Sequence, residues 1–151
     1  RKSLSSGRRV GILMRCLVLI VLLSSTVLAH IAHARERVLV VANSAESTLQ
    51  LSKSEIRNLF MGGSLDGLSP VEFESGTHIR KVFNTQVIGL PESRIQSFWA
   101  QMRFSGRSNP PSNVSNIEEM VTFLIEHESS VGYLPEGTSI PNGLTVVYIS
   151  I

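Results

Sequence analysis

Beyond residue 34 this 151-residue sequence has no cysteine, since its single one is Cys16. A disulfide framework and a thiol nucleophile are therefore excluded from that part of the chain. Histidine is also scarce there, with only His78 and His127, and no H-E-x-x-H, G-x-S-x-G or P-loop pattern occurs anywhere. Nothing points to a metal site, a cofactor or a motif-borne enzyme, and the chain reads as non-enzymatic. The adjacent acids Glu118 and Glu119 do not face each other on a helix as a catalytic pair would; they suit a helix N-terminus. Aromatic residues make up 6% of the sequence and include one tryptophan. No basic stripe is interleaved with them, so nucleic acid is not an expected partner.

What is present begins with a leader. Met14-Arg15-Cys16, the apolar run Leu17 to Leu23 and the small-x-small ending Ala32-His33-Ala34 have the form of a secretory signal starting at Met14 and cleaved after Ala34. The run is too short for a permanent span, which needs about 20 apolar residues, so no stable membrane span is expected after cleavage. Residues 1–34 form the signal region and residues 35–151 one domain, with a periplasmic destination. Removing the leader's five basic residues takes the net charge from +2 to −3, so a basic pI is no argument for a polyanionic partner.

The remainder alternates strand and helix signals. Val38 to Ala42 is a continuous apolar run, the pattern of a strand buried on both faces. Ser52 and Glu55 form a capping box ahead of Ile56, Leu59 and Phe60, and Gly62-Gly63 ends that helix. A strand over Val71 to Glu74 leads into a helix with Ile79, Val82, Phe83 and Val87 inward, closed by Gly89. Pro91 opens the next helix, with Ile95, Phe98, Trp99 and Met102 inward. Gly106 and Pro110-Pro111 make residues 104–111 a loop. A second capping box, Ser115 with Glu118, opens a helix with Ile117, Met120, Val121, Leu124 and Ile125 inward. Val131 to Pro135 and Leu144 to Ile149 are strands. The fold class is α/β, a mixed sheet flanked by helices.

The junction Glu74-Ser75-Gly76-Thr77 runs from strand to helix. The first N–H groups of a helix lack internal partners and carry partial positive charge, and Gly76 lets an oxyanion approach the backbone. Ser75 and Thr77 add hydroxyls, and Arg80 stands one turn in. Ser75 or Thr77 as a plain N-cap is the competing reading. His78 lies in the same first turn, and His127 suits the C-terminal end of its helix.

In this order, Leu51-Ser52 to Met61-Gly62, Glu74-Ser75-Gly76-Thr77 with Arg80 and Phe83, Phe98-Trp99 to Arg107 and Pro110-Pro111, and Val131-Gly132-Tyr133 resemble the phosphate-type substrate-binding proteins of ABC importers, in a short single-lobe form. The resemblance implies one lobe of the periplasmic binding protein type II fold. It also implies phosphate or a similar oxyanion as ligand, contacted by Ser75, Gly76 and Thr77, with Arg80 or Arg107 as added charge. Three departures accompany it. Val71, Glu72, Phe73 and Glu74 precede the turn where full-length relatives carry an arginine, no tryptophan follows Met61-Gly62, and the opposing lobe would have to come from a homodimer or a partner subunit. The rival expectation is a protein-interaction or sensory adaptor that keeps the lobe without the ligand.

Overall fold

The structure, a computed structural model, describes residues 36–151, so the expected signal with Met14 and Ala34 lies outside the described residues. Five strands and four helices follow one another in the order β1 (Val38–Ala42), α1 (Lys53–Phe60), β2 (Ser69–Phe73), α2 (His78–Phe83), α3 (Glu92–Phe104), β3 (Ser112–Val114), α4 (Ile117–Glu126), β4 (Ser130–Pro135) and β5 (Thr145–Ile149). The strands form one sheet in the order β3-β2-β4-β1-β5. β2 runs parallel to β3 and β4, whereas β1 runs antiparallel to β4 and β5. The sheet is therefore mixed, as expected. Among the described residues no helix is long and apolar enough to cross a membrane.

β1 lies between two strands, which explains its unbroken apolar run: Val38, Val40, Val41 and Ala42 are fully buried. The outer edge of β5 is partly covered by the segment before α1, where the Leu51 N–H donates to the Val147 carbonyl at 3.0 Å. α1 begins on the expected capping box. The Glu55 N–H donates to Ser52 Oγ at 3.2 Å and the Ser52 N–H donates back to Glu55 Oε2 at 2.7 Å, so two orphan donors are satisfied at once. The helix ends at Gly62, whose φ of +88° favours glycine and whose absent Cβ would meet the Trp99 ring at 3.2 Å. Ile56, Leu59 and Phe60 are buried as expected.

The core is organised around Tyr133 on β4. Its ring stacks on Phe83 with centroids 3.8 Å apart and meets Phe73 edge-on at 5.3 Å. Each such buried aromatic or aliphatic side chain contributes about 1.5–3 kcal/mol of transfer free energy. The Phe73 N–H donates to the Tyr133 hydroxyl at 3.2 Å, giving the buried phenol a partner next to the start of the candidate turn.

Two local expectations are corrected, and two elements are added. The buried stripe of α2 is rotated relative to the apolar pattern: Arg80, Phe83, Asn84, Val87 and Ile88 are buried, whereas Ile79 and Val82 are half-buried. Burial of Arg80 and Asn84 is possible because carboxylates on β2 and α3 receive them, a partnership invisible to periodicity. α2 continues into a π-helical turn over Asn84–Ile88, closed by the Gly89 N–H donating to the Asn84 carbonyl at 2.7 Å. In α4 the cap is Asn116, not Ser115: its Oδ1 accepts the Glu119 N–H at 2.9 Å, and Glu119 Oε2 accepts the Ser115 N–H at 2.7 Å. That shift by one residue leaves Met120 and Leu124 buried and turns Ile117 and Ile125 outward. Residues 112–114 of the chain after the double proline are also a short edge strand, held by parallel pairing with β2.

Candidate functional site

The turn expected from the sequence leaves the C-terminal end of β2 and enters α2 at Thr77, the N-cap residue. Gly76 has φ +92° with open space where a Cβ would stand. Ser75 and Gly76 are exposed and Thr77 is half-buried, so the turn is accessible. The hydroxyls, however, already have partners. Thr77 Oγ1 donates to the Glu74 carbonyl at 2.9 Å, and its N–H points at the same oxygen at 3.3 Å, so Thr77 closes the turn without capping the helix through its side chain. Ser75 Oγ donates to Glu92 Oε1 at 2.6 Å and accepts from Gln96 Nε2 at 2.8 Å. For the N–H groups of Gly76, His78 and Ile79, no acceptor is found among the described residues.

Arg80 is not a freely available surface charge. Its side chain is 3% exposed, and the guanidinium is held by three groups. Nη1 lies 2.9 Å from Glu72 Oε1 and donates to the Phe73 carbonyl at 2.6 Å, while Nε donates to Glu92 Oε2 at 2.9 Å. No hydrogen bond from Nη2 to a described residue is present. The two carboxylates respond oppositely. Burial pushes Glu72 up to about 7 despite the opposing pull of Arg80. Burial also raises Glu92, but hydrogen bonds from Arg80, Ser75 and Gln96 outweigh it and hold the group at about 2. Burial penalises the charged Arg80, yet its bond to Glu92 and the charges of Glu72 and Glu92 raise it further, so it stays a cation. At neutral pH the trio carries a local charge between zero and minus one.

A cavity of about 280 Å³ opens beside this cluster, lined among others by Gly76, Thr77, Arg80, Lys81, Thr85 and Glu92. Arg107 is not part of it. That residue is exposed in the loop after α3, and no hydrogen bond or ion pair joins its side chain to the turn among the described residues. The structure thus brings together Ser75, Gly76, Thr77 and Arg80 but leaves Arg107 apart. His78 is paired with Glu36 through Nε2. Glu74, the residue immediately before the turn, accepts from Ser115 Oγ at 3.1 Å.

Glu72, Asn84, Glu92 and Gln96 went unread as site residues in the sequence. A signal for the first existed, since Glu72 stands between Val71 and Phe73 in the strand that leads into the turn. Arg80 and Asn84 are also spaced by four, in step with Phe83 and Val87, which places two polar groups on the buried stripe.

Neither a protein-family model nor a curated protein matches the chain. Among solved structures, an ABC-type phosphate transport receptor from Vibrio cholerae is similar, with a TM-score of 0.53 at 16% identity. The match covers 74% of this chain and 45% of that receptor, so the chain spans less than half of it. At that identity the likeness is one of fold: the described domain is a mixed sheet flanked by helices, similar in fold to part of that receptor.

Proposed function

We propose that this chain is a periplasmic, secreted, non-enzymatic solute-binding-type module whose candidate ligand is phosphate or a similar oxyanion, received at the Ser75-Gly76-Thr77 turn. The observation that carries the reading is the cavity beside that turn, where the buried Arg80 meets Gly76, Thr77 and Lys81. The backbone N–H groups of Gly76, His78 and Ile79, and Nη2 of Arg80, are among the donors of this region for which no acceptor is found among the described residues. The phosphate transport receptor with a similar lobe supports the same ligand class.

Binding is expected to be weak. Glu72 and Glu92 offset the charge of Arg80, and an open half-site lacks the desolvation that strengthens such contacts. A second copy or a partner subunit would supply the opposing wall. Calorimetric titration of the full chain with phosphate, paired with sedimentation, tests this: saturable heat in the millimolar range, reduced in Ser75→Ala, supports it. Absence of heat, with Ser75→Ala and Thr77→Ala unchanged from wild type, removes it.

One observation favours a second reading, a ligand-free interaction or sensory adaptor. Both hydroxyls of the turn already donate within the chain, Ser75 to Glu92 and Thr77 to the Glu74 carbonyl. Failure of the titration would leave this reading in place.

A further inference from the structure

The carboxylate of Glu92 accepts four hydrogen bonds, two at each oxygen. Oε1 receives Ser75 Oγ at 2.6 Å and Gln96 Nε2 at 2.7 Å, and Oε2 receives Arg80 Nε at 2.9 Å and Asn84 Nδ2 at 2.7 Å. The donors come from the turn, from α2 and its π-helical extension, and from α3. A lone stabilising ion pair would need only one of them. Saturation of both oxygens, one of them by a buried guanidinium and a buried amide, is the coordination expected of an oxyanion receptor.

We propose that Glu92 is the resident ligand of this site: its carboxylate fills an oxyanion shell formed by Ser75, Arg80, Asn84 and Gln96, and a free oxyanion binds by displacing it. The inference rests on the reading of the turn as an oxyanion site and names what regulates it. The inner donors of the shell are buried and the occupant accessible: Arg80 and Asn84 are 2% and 5% exposed, whereas the Glu92 side chain is 34% exposed and Ser75 and Gln96 face solvent. Glu92 also borders the cavity, so an incoming anion reaches it from the solvent side. The hydrogen bonds it accepts lower its pKa, which keeps it charged, and competitive, across the physiological range. Self-occupancy accounts for an affinity of the wild type below that of its own donor set, because the tethered carboxylate competes at a high effective concentration.

Replacing Glu92 by Ala removes one CH₂ and the carboxylate, and acetate supplies the missing atoms. Thermal denaturation of the full-length Glu92→Ala variant should show a midpoint that rises with acetate and not with the neutral isostere acetamide. Wild type should show no such acetate-specific rise, and adding Ser75→Ala to Glu92→Ala should reduce it. A merely structural role for Glu92 gives a less stable variant indifferent to acetate, and that result overturns the proposal. If Glu92→Ala stays unfolded in both solutes, Glu92→Gln decides, because it preserves volume and places one donor where an acceptor stood. Phosphate affinity about tenfold or more above wild type, equal to about 1.4 kcal/mol, supports the proposal, and unchanged affinity overturns it. A wild type that ignores phosphate beside an acetate-responsive Glu92→Ala would remove the transport-ligand reading and the displacement of Glu92 by free phosphate, and keep Glu92 as the occupant of the shell. Phosphate binding by wild type beside an indifferent Glu92→Ala would do the reverse.

Discussion

Arg80 Nη1 and Glu72 Oε1 lie 2.9 Å apart with side chains 3% and 8% exposed, so the strand before the turn and the helix after it are joined by a charge pair away from water. Such a pair is costly to break from one side. Arg80→Met leaves Glu92 with one donor fewer and Glu72 without its cation, and a loss of about 3–5 kcal/mol is expected from denaturant unfolding. A change under about 1 kcal/mol would show that solvent reaches the cluster, as in a surface pair.

The same cluster sets a pH dependence whose sign follows from its two carboxylates. Glu92 titrates at about 2 in the fold against an ordinary 4.5, so the unfolded chain binds more protons between these values and stability rises with pH across them. Glu55, held low by its bonds to Ser52, adds to that limb. Glu72 titrates at about 7, so between 4.5 and 7 the folded chain binds more protons and its contribution falls as pH rises. Chemical denaturation across pH should show a maximum near 4.5 from this cluster, and Glu72→Gln should flatten the limb above it. An identical upper limb in Glu72→Gln would contradict the assignment.

Tyr133→Phe keeps the ring stacked on Phe83 but removes the acceptor of the Phe73 N–H. An unpaired buried donor costs about 1–3 kcal/mol, to be read as a shifted denaturation midpoint at constant slope.

Asn116→Ala removes the acceptor of the Glu119 N–H and should cost about 1 kcal/mol, whereas Ser115→Ala should cost less, since the Ser115 side chain caps nothing in α4. Equal losses would return the cap to Ser115.

Much of the fold was legible because its signals are local. The β-branched run of β1, the Ser52–Glu55 box and the Gly62 and Gly89 stops each act within a few residues, and all are found. β3 went unread because three residues carry no periodicity, and its pairing with β2 depends on a strand about 40 residues earlier in the chain. Ser115 and Asn116 are both good caps with a glutamate three residues on, so the pattern alone held two registers. At the site, Ser75, Gly76 and Thr77 were read from the turn chemistry; Gly76 and Thr77 line the cavity, and the Ser75 hydroxyl is bonded to Glu92. Arg80 was read as added charge one turn into the helix, and its burial was not, because only Glu72 and Glu92, from two other elements, make that burial possible. Arg107 rested on the family resemblance alone.

The most direct test of an oxyanion site at the turn is a phosphate titration of the full chain followed by amide resonances in nuclear magnetic resonance. Saturable shifts concentrated at Gly76, His78 and Ile79, enhanced in Glu92→Gln, are the expected result. Amides of the turn that stay unmoved while resonances elsewhere shift, or no shift at any phosphate concentration, would contradict it.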